Sequence, residues 1–105
     1  MRIEKGKAVG AYQECIFYLD GTPERTTTDG KSGRHGLLIL QLEIEHERDR
    51  CRFEHTPGTT TLVVKLPRSL PEARGATVLR AIAGFLRQQG LSDGTLTGSL
   101  AAALS

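Results

Sequence analysis

Between residues 36 and 89, apolar and polar positions alternate in three short runs and then switch to a helical spacing. Leu38, Leu40, Leu42 and Ile44 make the first run, Cys51 and Phe53 the second, and Leu62, Val64 and Leu66 the third. An apolar residue at every second position marks a strand with one buried face. The pattern therefore predicts strands over 36–47, 50–55 and 59–66. Val78, Leu79, Ile82, Ala83 and Leu86 then recur at the spacing of one helix face, which predicts a helix over 70–89. Upstream, Val9, Tyr12, Ile16, Phe17 and Tyr18 supply the β-branched and aromatic residues of a first strand over 8–19.

Turn chemistry joins these elements. Thr56-Pro57-Gly58-Thr59 puts Pro and Gly where a type II turn needs them. Closing that turn at Thr56 and Thr59 sets Phe53 opposite Leu62 and Cys51 opposite Val64, all on one face. Arg48-Asp49 is the other turn, with neither Gly nor Asn to define its geometry. Ser69 and Glu72 have the spacing of a capping box, Gly75 argues for regular helix only from about Ala76, and Gly90 fits the residue that ends a helix. The expected fold is a single α+β domain over 1–105, a ββββα chain. Its four-stranded, mainly antiparallel sheet carries one C-terminal helix on one face. A short tail over 91–105, with Leu96, Leu100 and Leu104 four apart, either docks as a short helix or frays.

Length and composition agree with one small soluble core: 105 residues, 38% hydrophobic and 25% charged. No apolar run approaches the ~20 residues that span a bilayer, and no signal peptide is visible, so the expected compartment is the cytoplasm, with no membrane partner. Cys15 and Cys51 are expected two strands apart, about 9–10 Å at ~4.8 Å per strand, too far for a disulfide. Two reduced thiols suit a cytoplasm. A net charge of +2 is too small to argue for nucleic acid by itself.

Chemistry-bearing residues are few. Gly30-Lys31-Ser32 matches the end of a phosphate loop, but Arg25 stands where its first Gly belongs, and a strand is expected to follow where a helix is needed. His46, Cys51 and His55 spread along a hairpin with no fourth ligand, so neither a metal nor another cofactor is expected. The long polar segment over 20–36 holds Asp20, Asp29, Ser32 and His35, which an enzyme could build a site on. Along the outward face of the expected sheet, Glu45 and Glu47 would pair with Arg52 and Arg50, a solvated surface of opposite charges.

His55-Thr56-Pro57-Gly58, the strand to Pro67, and Gly75-Ala76-Thr77-Val78-Leu79-Arg80 through Gln89-Gly90-Leu91-Ser92 resemble the end of HicA-type mRNA interferase toxins. In that family a His-x-x-Gly turn leads through a strand and a Gly-Thr-Leu helix start to a Gly-Leu-Ser end. The resemblance covers under half the chain. The family's catalytic His, within a Gly-Ser-His, would fall near Arg50, where Arg48-Asp49 replace Gly-Ser, and the family starts with a helix where this chain starts with a strand. No catalytic residue carries over.

Three function classes follow. With Cys15, Phe17 and Leu19 in the core, Tyr12, Ile16 and Tyr18 point outward beside Ile39, a cluster of large residues fit for an interface. The first expectation is thus a non-enzymatic interaction module, homodimeric through Tyr12, Ile16, Tyr18 and Ile39, whose protein partner and process the sequence does not name. The alternative is a binder of single-stranded nucleic acid or RNA that uses Arg74, Arg80 and Arg87 with Tyr18. It is not favoured, because the outer face offers glutamates to phosphate. An enzyme centred on His35 is the third.

Overall fold

A computed structural model describes residues 1–23 and 33–104, and for 33–37 the backbone alone. Strands β1 (Arg2–Val9) and β2 (Tyr12–Tyr18) form a hairpin; helix α1 (Gly33–Glu45) follows; β3 (Arg52–His55) and β4 (Thr61–Pro67) form a second hairpin; α2 (Glu72–Gln88) and the short α3 (Ala101–Leu104) complete the chain. All strand pairs are antiparallel and the sheet order is β1-β2-β4-β3. β2 and β3 thus run parallel with β4 between them, a split βαβ arrangement. The four-stranded antiparallel sheet with its main helix after the last strand is as expected. Two of the strands are not the expected ones.

The segment over 36–47, read as a strand, is helical from Gly33 to Glu45. Leu38, Leu42 and His46 are buried, whereas Leu40 and Ile44 are 51% and 63% exposed. Burial therefore repeats every four residues. Every even position from 38 to 44 is apolar, so a period of two contains a period of four, and the alternation could not separate them. Leu, Gln and Glu, all good helix formers, favour the helix. Ile39 accordingly sits on α1, partly buried against the core, not on a strand beside Tyr12. The expected Glu47–Arg50 and Glu45–Arg52 cross-strand pairs have no second strand to form on.

The missing strand comes from the N-terminus. The expected 8–19 strand is broken by a tight turn at Gly10-Ala11, with Val9 opposite Tyr12. Gly10 has φ +58° while Ala11 stays at negative φ, the pattern of a type II′ hairpin turn, whose twist matches that of paired strands. β1 carries no periodic apolar signal, because Ile3 is its only fully buried residue.

On the inner face Ile3, Cys15, Phe17, Phe53, Leu62, Val64 and Leu66 meet the stripe Gly75, Val78, Leu79, Ile82, Ala83 and Leu86 of α2 in one hydrophobic cluster. Burying four large aliphatic side chains of α2 contributes about 6–12 kcal/mol before ordering entropy, at ~1.5–3 kcal/mol each. The Thr56–Thr59 turn forms as expected, with Gly58 at φ +83° and a 3.1 Å bond from the Thr59 N–H to the Thr56 carbonyl. Phe53, however, lies opposite Val64 and His55 opposite Leu62. That register is two residues from the expected one. A slip of two keeps every side chain on its own face, so the core pattern survives it.

Pro71, not Ser69, is the N-cap of α2, and it has no side-chain capping bond; the expected capping box does not form, and Gly75 lies inside the regular helix. The other end is as expected. Gly90, at φ +76°, donates to Arg87 and Leu91 donates to Leu86, the paired bonds of a Schellman motif. Beyond it the tail docks. Thr97 bridges β1 through Ile3 N–H to Thr97 O (2.8 Å) and Thr97 N–H to Met1 O (3.1 Å), the Leu100 N–H donates to Ile3 O, and Leu104 is buried. The tail so closes the β1 edge of the sheet.

Candidate functional site

The register fixes what the outer sheet face presents. Glu4, Ile16, Val63 and Glu54 form one rung across all four strands, and Glu14, Lys65 and Arg52 extend the next. Tyr12 and Tyr18 stand on β2 on either side of Ile16, and Val63 lies next to Ile16 on β4. None of Tyr12, Ile16, Tyr18 and Val63 is closed off; each is half-buried. The face thus has an apolar centre of Ile16 and Val63, with a tyrosine at each end and charges around it.

Each tyrosine has an arginine on its ring. The Arg2 guanidinium carbon lies 4.1 Å from the Tyr18 ring centroid, and that of Arg52 lies 5.2 Å from the Tyr12 centroid. Both distances suit cation–π attraction. The rim carries both signs: Arg2 approaches Glu4 at 3.7 Å and Lys65 bonds Glu54 at 2.8 Å. Hydrogen bonding to Ser99 lowers the Glu4 pKa, through the Ser99 side chain first and then through its backbone N–H, which the carboxylate accepts at 3.1 Å. Lys65 is held protonated to higher pH chiefly by its bond to Glu54.

At the Tyr12 end, Leu40, Glu43, Ile44 and Glu47 on the α1 side, with Arg50, Cys51 and Arg52 on the β3 side, line a groove of about 510 Å³. Leu40 and Ile44 are two of the three large hydrophobics most exposed among the described residues. The strand reading had hidden them in the core. Ile39, the fourth expected interface residue, turns away from this face and packs on the core.

The arginines expected for nucleic acid do not share a surface with Tyr18. Arg74 makes a bidentate pair with Asp49, Nε to Oδ1 at 2.9 Å and Nη2 to Oδ2 at 2.7 Å. That pair holds the Asp49 carboxyl below its usual range and ties the α1–β3 turn to α2. Arg80 and Arg87 lie on the exposed side of α2, whose buried stripe meets the inner sheet face. Tyr18 is on the opposite face.

Of the metal-like residues, His46 is buried at the end of α1, 6.0 Å from the Phe53 ring, and burial lowers its basicity. His55 Nε2 donates to Thr59 O at 2.8 Å. Among the described residues no group of three His, Cys, Asp or Glu side chains could hold a metal ion. Cys15 and Cys51 are free and buried, and burial pushes both thiols up to about 11. Most of the 20–36 segment, with Asp29, Gly30-Lys31-Ser32 and the His35 side chain, lies outside the described residues.

No family model, curated protein or solved structure matches the chain. Arg50, where the catalytic His of HicA-type toxins would fall, occupies a turn at φ +58°.

Proposed function

We propose that this chain is a non-enzymatic interaction module that associates with a second copy of itself through the outer face of its sheet. The observation that carries the reading is the Ile16–Val63 centre with Tyr12 and Tyr18 beside it, ringed by Arg2, Arg52, Lys65, Glu4, Glu14 and Glu54. An apolar centre within a polar rim is how interfaces are built, and Tyr and Arg are the residues that most often dominate them. Three cations and three carboxylates on the rim let two copies face each other without net repulsion. Sheet faces stack at about 10 Å, which side chains of this size fill.

Area adds a requirement. A face of four strands, about 20 Å by 20 Å, offers ~400 Å², short of the ~800 Å² per partner of a stable complex. Leu40 and Ile44 on α1, adjoining the Tyr12 end, would extend the contact. Ile39 has no part in this proposal. Two free buried thiols fit a reducing compartment, and no helix among the described residues is long and apolar enough to cross a membrane.

Light scattering tests the reading. The wild type should scatter with twice the 11.4 kDa mass of the chain, and Tyr12→Asp, Ile16→Asp and Ile44→Glu should each shift it toward the single-chain mass. Ile44 is 63% exposed, so its replacement leaves the core alone. A wild type of single-chain mass at high concentration would refute the proposal. The nucleic-acid reading draws less support, since Arg74 is committed to Asp49 and Arg80 and Arg87 lie across the molecule from Tyr18.

A further inference from the structure

On the inner side of the sheet, two polar residues interrupt the apolar lining. Lys5 pairs with Cys15 and Gln13 with Leu66, so both belong to the face that packs against α2. Gln13 turns aside to the irregularity in β1, its Nε2 donating to Gly6 O at 2.8 Å and to Glu14 O at 3.0 Å. Lys5 has no such use. Its backbone N–H donates to Ser99 Oγ, but among the described residues its ammonium has no carboxylate partner.

Between these residues, the first turns of α2 and the α3 segment lies a cavity of about 410 Å³, within the range of small-ligand sites. Its walls are apolar: Cys15, Leu66, Leu70, Leu79 and Leu100, with Gly75 leaving room where a side chain would stand. Its mouth is charged. Lys5 and Arg68 outnumber Glu72, and the guanidinium of Arg68 makes only a long 3.5 Å contact with Gly10 O. Lys5 and Arg68 are both exposed, so their charges stay in water at the rim while giving the open end of an apolar pocket a net positive field that favours an anion there.

We propose that this cavity binds a small amphipathic anion, a carboxylate with a short aliphatic body. The body lies between Leu66, Leu79 and Leu100, and the carboxylate lies at the mouth between Lys5 and Arg68. The site is on the opposite side of the sheet from the self-association face, so neither proposal depends on the other.

Sodium octanoate is the probe, 1-octanol its uncharged counterpart, and amide chemical shifts of the full chain are the readout. Octanoate should move the amides of Lys5, Cys15, Gly75 and Leu100 and bind more tightly than 1-octanol. Its affinity should fall with added salt. In the double variant Lys5→Gln, Arg68→Gln it should weaken between about two- and thirty-fold, the range two exposed ion pairs supply, with 1-octanol unaffected. The salt series needs no variant, so it decides the matter even if the double variant folds poorly. Unmoved cavity amides, octanol binding as tightly as octanoate, or octanoate affinity indifferent to salt would each overturn the assignment.

Discussion

Replacing Gly98 by alanine should release the tail from the sheet. A Cβ built on Gly98 would lie 2.5 Å from the Ile3 carbonyl oxygen, at a backbone φ of +99°. The obstacle is main chain, so no rotamer change relieves it. Left-handed backbone alone costs an L-residue about 1–2 kcal/mol. Relieving the contact means moving residues 97–100, which hold Met1 and β1 through five hydrogen bonds: Ile3 to Thr97, Thr97 to Met1, Leu100 to Ile3, Lys5 to Ser99 Oγ, and Ser99 to the Glu4 carboxylate. Release loses those bonds and the burial of Leu104, offset in part by the chain entropy the freed tail regains. The loss should therefore exceed the ~1–2 kcal/mol of left-handed strain alone. Urea unfolding would register it as a lower midpoint. Hydrogen exchange should place it, with the amides of Ile3 and Lys5 losing protection while those of β4 keep theirs. Gly58→Ala is the control: its φ is +83° but nothing lies within 4 Å of the added methyl, so strain acts without a clash, and the loss should be about 1–2 kcal/mol. Equal losses in the two variants, or unchanged protection at Ile3 in Gly98→Ala, would refute this account.

Gly84, inside α2 with nothing within 4 Å of an added methyl, gives the opposite sign: Gly84→Ala should stabilise by about 0.8–1 kcal/mol and raise the melting temperature by roughly 4–8 °C. A lower melting temperature would mean the α2 surface there is not open. His46 is buried, which holds its folded pKa below the ordinary 6.5, an effect larger than the opposing pull of Glu45 and Asp49. Its contribution to stability is thus complete above about pH 6.5 and is lost as pH falls through the folded value. Stability should fall from pH 7 toward 5, and His46→Gln should flatten that slope; an unchanged slope would assign it elsewhere. Both thiols, buried and shifted to about 11, should react with a thiol reagent at neutral pH only after unfolding, and fast labelling of either in the native protein would contradict that burial.

What the sequence disclosed depended on how unique each pattern was. The α2 stripe admits one period, and Gly90 has one role, so both were legible. The run Leu38 to Ile44 admits two periods, and the twelve positions of the 36–47 segment around it, long for a strand, were the signal that favoured a helix. β1 has a single fully buried residue, too little for any periodic reading. Of the candidate interface, Tyr12, Ile16 and Tyr18 were placed on one face because β2 keeps strict alternation. Ile39 was misplaced with the segment that holds it, and Leu40 and Ile44 were missed for the same reason. Arg74 could not be read as engaged, because Asp49 lies 25 residues away and only the α1–β3 turn brings them together.

The position of β4 between β2 and β3 also dictates an order of events as the chain is made. The β1–β2 hairpin can close as soon as it emerges, but the free side of β2 is filled only by β4, and Ile16 meets Val63 across 47 residues of sequence (63 − 16). Pairings this distant in sequence form slowly. Until β4 arrives, the nascent hairpin shows an unpaired edge along β2, the strand that carries Tyr12, Ile16 and Tyr18. The fold's most vulnerable moment is thus during synthesis, and a pause between β2 and β4 would prolong it.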